Sequence, residues 1–372
     1  MTETVLGNLL KDETLLQRMV VEGYIRTQTH PQYPYTIYNY TEKTQFDRVW
    51  NEATLQCRGL IVDDDGKIIA RPFRKFFNWG EEQGTFSLET YRNSQVTVTD
   101  KLDGSLGILY AKPTCGCDEE HGDWAIATRG SFMSPQAIHA SEKLKEYLPY
   151  WTPQPDTTYL FEIIYPENRI VCNYYDMDDI ALLGTVNIPY GYSTGPEAVT
   201  DWPGPRAKTF GYRTFQEALE AQHRKGAEGL VVHFAQNDKR IKLKQPDYVE
   251  LHRIVTGLNE RRVWELMKSG RMYAEICEPL PEEFHPWVEQ VYATIEKQWY
   301  DHWFAAQGEF DNLIGELPKG FSRKDFALKA LKCQYTALLF LKLDGKDCGE
   351  KIWNLVRPEF TKGPWSRSED NA

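Results

Sequence analysis

The chain of 372 residues carries 54 acidic against 43 basic side chains, a net charge of -11, with 41% hydrophobic and 13% aromatic residues. That length suggests two domains, because single cores usually stop growing beyond about 250 to 300 residues. The acidic balance argues against a broad nonspecific nucleic-acid surface while leaving room for a local cationic cleft.

No run of about 18 apolar residues exists, and the amino terminus, with Lys11, Asp12 and Glu13 after a leucine pair, lacks a signal-peptide plan. The expectation is a globular, cytoplasmic protein with no membrane partner. Residues 1–34 begin with a short helical pattern and end in a polar loop from Thr27 to Pro34. Leu60 to Ala70 reads as a β-hairpin, since Asp65-Gly66 accepts the positive φ angles of a tight turn. Val96 to Lys101 alternates as a strand, with Val96 and Val98 on one face and Thr97, Thr99 and Lys101 on the other. Gly104 allows a tight or left-handed turn, and Ser105 to Tyr110 resumes an apolar strand.

Cys115-Gly116-Cys117, followed by Asp118 and His121, matches no common structural zinc spacing and reads as a hairpin-tip loop. The seven scattered cysteines fit reduced thiols. Ser134 caps a helix with Pro135 at its first position. Thr214 caps another, with Glu217 three residues on and an end near Lys225-Gly226. After Tyr248 the pattern turns helical over Glu260 to Lys268, Trp287 to Gln307 and Lys324 to Leu341, with breaks at Asp311 to Gly320 and Gly345 to Gly349. Trp299, Tyr300, Trp303 and Phe304, like Leu328, Leu331, Tyr335 and Leu338, read as core packing in preference to a base-stacking platform. Ser366 to Ala372 reads as a disordered tail.

Four elements carry chemistry. Lys101-Leu102-Asp103-Gly104 ends its strand with a lysine on the polar face; crowded by other cations, such an amine loses its proton more easily and becomes a usable nucleophile. Glu162 sits in the apolar run Thr158 to Tyr165, where an unpaired charge costs several kcal/mol, so it needs a partner. Glu228 opens the next apolar strand, and Gly229 lets another group approach the backbone closely. Arg240, Lys242 and Lys244 share one strand face, opposite Ile241 and Leu243, and repel one another unless anions compensate them. With Arg71, Arg74, Lys75 and Arg129 they form a cationic set able to line one cleft.

This ordered set resembles the covalent nucleotidyltransferases, the polynucleotide ligases and capping enzymes. Tyr38-Asn39-Tyr40, Cys57-Arg58-Gly59, Arg71-Pro72-Phe73-Arg74-Lys75-Phe76-Phe77-Asn78, Arg129-Gly130-Ser131 and Asn168-Arg169-Ile170-Val171 make it similar to the T-even phage RNA ligase 1 family over about residues 35–255. The resemblance implies an α+β fold, with an adenylyltransferase domain of antiparallel sheets and flanking helices over 1–254. An all-helical domain would follow over 255–372, a candidate for RNA or tRNA specificity. DNA ligases and capping enzymes carry a small β-barrel there instead.

The implied activity is ATP-dependent joining of RNA 5′-phosphate and 3′-hydroxyl ends through lysyl-AMP and RNA-adenylate, as in repair of nicked tRNA. Mg2+ or Mn2+ would assist, and no obligatory protein partner is evident. By resemblance Lys101 is the nucleophile, Lys242 and Lys244 contact the α-phosphate, Arg58 and Lys75 contact ATP phosphates, and Tyr38 lies in the nucleotide site. Arg129 stands where the family often has lysine. Glu162 binds the ribose or supports a metal's water shell. Glu228 and Asp103 either orient metal-bound waters or pair with lysines. Tyr248 is either a substrate contact or a packing residue, and Asn168 and Arg169 either hold a strand junction or touch substrate. The competing readings are a DNA ligase or capping guanylyltransferase using the same lysine, and a non-catalytic RNA-end-binding module. If phage-encoded, the protein would work in the host cytoplasm.

Overall fold

The computed structural model describes residues 13–81, 88–113, 123–278, 280 and 284–359. The Cys115-Gly116-Cys117 loop and the Ser366 to Ala372 tail lie outside them. Among the described residues the strands are β1 (Ile25–Thr29), β2 (Tyr35–Tyr40), β3 (Arg58–Asp63), β4 (Ile68–Ala70), β5 (Phe77–Asn78), β6 (Thr97–Lys101) and β7 (Ser105–Ala111). They continue with β8 (Trp124–Ala127), β9 (Thr157–Ile164), β10 (Asp179–Asn187), β11 (Ser193–Thr194), β12 (Thr209–Phe210), β13 (Gly229–Phe234) and β14 (Lys239–Lys244). They form three sheets, ordered β1-β2-β3-β4, β11-β10-β9-β7-β8 and β12-β6-β13-β14-β5. Pairing is antiparallel as expected, except that β14 runs parallel to β5, with Ile241 opposite Phe77 and Lys242 opposite Asn78.

Alternation along the strands builds the layers. Ile37, Ile61 and Ala70 of the first sheet pack with Ile108, Ala127, Leu160 and Val186 of the second. The other face of the second sheet, with Phe161, Ile163 and Leu182, is covered by Ala140 and Leu144 of the helix Pro135–Tyr147. Helices Glu13–Val21 and Glu52–Gln56 cover Leu60, Val62 and Ile68 on the outer face of the first sheet. In the third sheet Val98, Leu230, Val232 and Ile241 pack on Phe215 and Ala218. Each fully buried large side chain contributes about 1.5 to 3 kcal/mol. The opposite face of that sheet is therefore free to carry Lys101 and its neighbours.

Local signals behaved as their chemistry predicts. Ser134 accepts from the Ala137 amide, with Pro135 at the first helical position. Asp63 Oδ1 accepts from the Asp65 and Lys67 amides and closes the β3–β4 hairpin around Gly66, whose φ is 79°. Other expectations were revised. The loop expected from Thr27 to Pro34 gives its first residues to β1, because Thr27 and Gln28 pair with Tyr38 and Ile37. The helix capped by Thr214 stops at Leu219, short of Lys225. Beyond it, Arg224 is anchored by Asp100 and by the Gly229 carbonyl.

The chain divides into two compact units at Glu250/Leu251, within the helix Pro246–Gly257 and four residues before the expected boundary. The second unit is helical among its described residues. The helix Glu260–Lys268 has its expected bounds. The long helix runs His285–Gly315, past the expected break at Asp311, because Leu313 and Ile314 still pack on the Phe326 and Leu339 cluster. The stretch Lys324 to Leu341 is two helices, Arg323–Ala330 and Thr336–Leu343. Glu309 of the long helix accepts from the Gln334 and Tyr335 amides and so caps the second of them. This interruption breaks the apolar stripe: Leu338 is buried, while Leu328 and Leu331 are exposed. Tyr300 and Phe304 are exposed too, so those positions are not core. No described helix is long and apolar enough to cross a membrane.

Candidate active site

The register of the third sheet sets cations in rows. Lys101, Gly229 and Lys244 are matched across β6, β13 and β14; Thr99, Val231 and Lys242 form the next row, and Thr97, His233 and Arg240 the third. Rows two residues apart along a strand are separated by roughly 6.6 Å. In the first row the middle position has no side chain, and the Glu228 carboxylate spans the gap. Its Oε2 lies 2.6 Å from Lys101 Nζ and its Oε1 lies 3.1 Å from Lys244 Nζ. Gly229 meets the expectation of a close backbone approach, and the group that approaches is β14: a Cβ there would lie 2.1 Å from the Leu243 carbonyl oxygen.

Lys101 of the first row and all of the second and third rows wall a cleft of about 340 Å³, lined also by Arg58, Phe76, Gly104, Arg129 and Glu162. That volume is at the lower end of small-ligand sites. Gly104 is required for proximity more than for handedness, since a Cβ there would sit 2.5 Å from the Ile163 carbonyl oxygen. Its amide donates to Glu162 Oε1 at 2.9 Å. Burial pushes the Glu162 carboxyl up to about 7, with Glu228 and Asp103 adding to the rise and Lys101 opposing it. The partner Glu162 needs is thus an amide and a nearby ammonium.

The crowding expected of a lysine falls on Lys242. Burial, then Arg58, Lys75, Lys101 and Lys244, hold its ammonium well below the ordinary lysine range. Arg58 is held down by burial as well, and its Nη1 is buried with no hydrogen-bond partner among the described residues. Arg240 lines the cleft 3.9 Å from the Phe73 ring and is fixed by Asp238 and Ser193, and burial lowers it to about 10. Lys75 and Lys244 are not on the cleft wall, but each is tied to it, Lys244 through Glu228 and Lys75 through Tyr40. Arg71 stands apart, donating to the Ile188 carbonyl, and Arg74 is exposed.

Three of the expected site residues have structural engagements in the fold. Asp103 Oδ2 accepts from the Val171 and Cys172 amides, both at 2.8 Å, and Oδ1 accepts from the Tyr248 hydroxyl at 2.7 Å. Asp103 is therefore engaged in holding the turn, with Oδ2 accepting from two amides and Oδ1 from one hydroxyl. Tyr248 is correspondingly buried and faces Asp103, with Lys244 5.2 Å above its ring, an arrangement that fits the packing alternative. Tyr38 does not line the cleft; it packs against the Leu16, Ile25, Leu60 and Val62 cluster on the outer face of the first sheet. The register between β2 and β3 shifts at this point because Gly59 is an extra residue in β3, while β2 stays in register with β1 through Tyr40. Tyr40 is the tyrosine of that run which reaches the cations, accepting from Arg129 Nη1 at 3.2 Å. Asn168 holds the strand junction, accepting from Ser105 Oγ and donating to the Ile163 carbonyl.

Among the described residues no three His, Cys, Asp or Glu side chains converge to hold a metal ion. Glu228 is committed to two lysines, Asp103 accepts from three donors, and of the two carboxylates on the cleft wall Asp100 is paired with Arg224 while Glu162 accepts from the Gly104 amide. Tyr40 and the Asp238–Ser193 anchor of Arg240 have only weak signals in the sequence: Tyr40 stands two residues from Tyr38 in the same run, and Ser193 is 47 residues from Arg240.

A family profile described as RNA ligase matches residues 56–248, just over half the chain. An RNA ligase of Rhodothermus phage RM378 is 25% identical, with 84% of this chain and 85% of that one covered. A putative bifunctional polynucleotide kinase/RNA ligase of Autographa californica nuclear polyhedrosis virus is 24% identical over 62% of this chain but only 35% of its own length. Among solved structures, an archaeal ATP-dependent RNA ligase superposes with a TM-score of 0.43 at 14% identity, over 69% of this chain and 65% of that one. Since the matched span holds Arg58, Lys101, Glu162, Glu228, Lys242 and Lys244, and the phage relative extends the similarity over most of the chain, this protein belongs to the RNA ligase family of the phage RNA ligase 1 kind.

Proposed function

We propose that the chain is an ATP-dependent RNA ligase joining a 5′-phosphate to a 3′-hydroxyl, with broken tRNA among its natural substrates. Lys101 Nζ attacks the α-phosphorus of ATP; the N–P bond forms, the bond to the β-phosphate oxygen breaks, pyrophosphate leaves with the electron pair, and the amine proton passes to solvent. A 5′-phosphate oxygen of RNA then displaces the lysine and takes the adenylate. The 3′-hydroxyl attacks that phosphate, its proton is lost, and AMP departs. Each step is an in-line displacement, so the protein contributes position and charge.

The observation that carries this reading is the Glu228 carboxylate fixing both Lys244 and Lys101, the latter on the wall of a cleft lined also by Arg58, Arg129, Arg240 and Lys242. Lys242 and the unpartnered Arg58 Nη1 are short of counter-charge that a triphosphate would supply. Glu162 would accept from a ribose hydroxyl. A divalent ion, magnesium or manganese, would arrive on the phosphates and neutralise their charge.

Incubation with labelled ATP, GTP or NAD should leave covalent nucleotide only from ATP, and Lys101→Ala should abolish it while the fold persists. Persistent labelling in that variant would remove the nucleophile. Sealing assays should favour single-stranded RNA and nicked anticodon loops over nicked duplex DNA, and a preference for DNA would overturn the substrate.

A further inference from the structure

Tyr40, not Tyr38, is where three cations meet. Its side chain is buried, 4% exposed, and its hydroxyl accepts from Arg129 at 3.2 Å. The Lys75 ammonium lies 5.3 Å from the Tyr40 ring, 5.1 Å from Trp50 and 5.1 Å from Phe77, in a box of three aromatic faces. Trp50 is packed edge-on against both other rings, so the box is rigid. Arg58, with its unpartnered Nη1, acts on the same phenol from β3. We infer that Tyr40 is a positioning residue for the triphosphate, holding Arg129, Arg58 and Lys75 in an array and yielding them to the phosphate chain when nucleotide binds. The identity of that anion rests on the ligase reading.

Three positive charges without an anion repel one another and would splay. A carboxylate among them would hold them, but its full charge would also oppose an arriving phosphate. A phenol serves both states, since its oxygen accepts hydrogen bonds when neutral and becomes an anion when enough cations surround it. Burial pushes the Tyr40 hydroxyl up, yet Arg129, Arg58 and Lys75 outweigh burial and bring it below the ordinary tyrosine value. The charged groups facing it are Arg58 from β3, Lys75 from the segment before β5 and Arg129 from the turn after β8, while Glu162 of β9 acts on it through Arg58. A polyphosphate anion entering this array makes the phenolate unfavourable, so binding takes up a proton at alkaline pH. ATP affinity should accordingly fall as pH rises through the titration of Tyr40.

Tyr40→Phe keeps the ring that packs on Trp50 and removes only the oxygen. In the Lys101 labelling reaction its KM for ATP should rise about tenfold with kcat changed less than about threefold, as expected for lost uniform binding. The alkaline loss of affinity seen with wild-type protein should be absent. Inorganic tripolyphosphate, added at about pH 9, should lower tyrosinate absorbance in wild-type protein but not in Tyr40→Phe. An unchanged KM and pH profile in Tyr40→Phe would overturn the inference while leaving the ligase reading intact. If wild-type protein took label from no nucleotide, the ligase reading would fall, and the tripolyphosphate difference would still decide the role of Tyr40.

Discussion

Lys101 Nζ and Glu228 Oε2 stand 2.6 Å apart although 127 positions separate them in the chain, brought together by the pairing of Lys101 with Gly229. The carboxylate is 4% exposed, so the pair is held largely out of water. That relationship makes Glu228 an electrostatic clamp on the nucleophile.

Replacing Glu228 by Gln keeps its shape and removes its charge. Two lysines then face each other across Gly229 without compensation, and breaking a buried pair from one side costs about 3 kcal/mol. The denaturant midpoint of Glu228→Gln should fall accordingly, and the rate of lysyl-AMP formation should drop by more than about tenfold. A variant as stable and as fast as wild type would show that the clamp is incidental.

Asp103 joins the turn after Lys101 to the 171–172 segment and to Tyr248. Asp103→Asn retains one acceptor oxygen where the carboxylate serves three donors, and should lose about 2 kcal/mol, whereas Tyr248→Phe should lose about 1 kcal/mol. Because the two residues share a hydrogen bond, the double variant should lose less than the sum of the singles. Additive losses in a denaturation series would mean the bond contributes nothing.

The Glu162 carboxyl is raised in the folded protein from 4.5 to about 7, first by burial. The unfolded chain gives up this proton at lower pH than the folded one, so the associated stability is present below pH about 4.5 and is lost as pH rises to about 7. Glu162→Gln does not titrate. Relative to wild type it should therefore gain stability between about pH 5 and about pH 8, as read from urea midpoints at the two conditions. A difference between the proteins that does not change with pH would contradict the raised value.

Much of the site was legible in the chain because strand alternation is a local rule. It places Lys101 with Thr99, and Lys242 with Arg240, on the faces opposite Val98 and Ile241, and folding only had to bring those faces together. The Ser134-Pro135 helix start and the Asp65-Gly66 turn were equally local, each satisfied by amides within four residues.

What only the tertiary structure decided lies where a partner is distant or a periodic pattern is interrupted. Asp103 looks free beside Lys101 in the sequence, yet both its oxygens accept hydrogen bonds from Val171, Cys172 and Tyr248, up to 145 residues away. Tyr40 reaches the cations only because Arg129, 89 residues away, is brought to its hydroxyl, and Glu309 interrupts a continuous apolar helix pattern by capping Thr336–Leu343. The sequence determines which side chains share a face, because backbone geometry repeats every few residues. The fold determines which hydrogen-bonding groups are already spent, because each oxygen serves only a few donors and those donors come from anywhere in the chain.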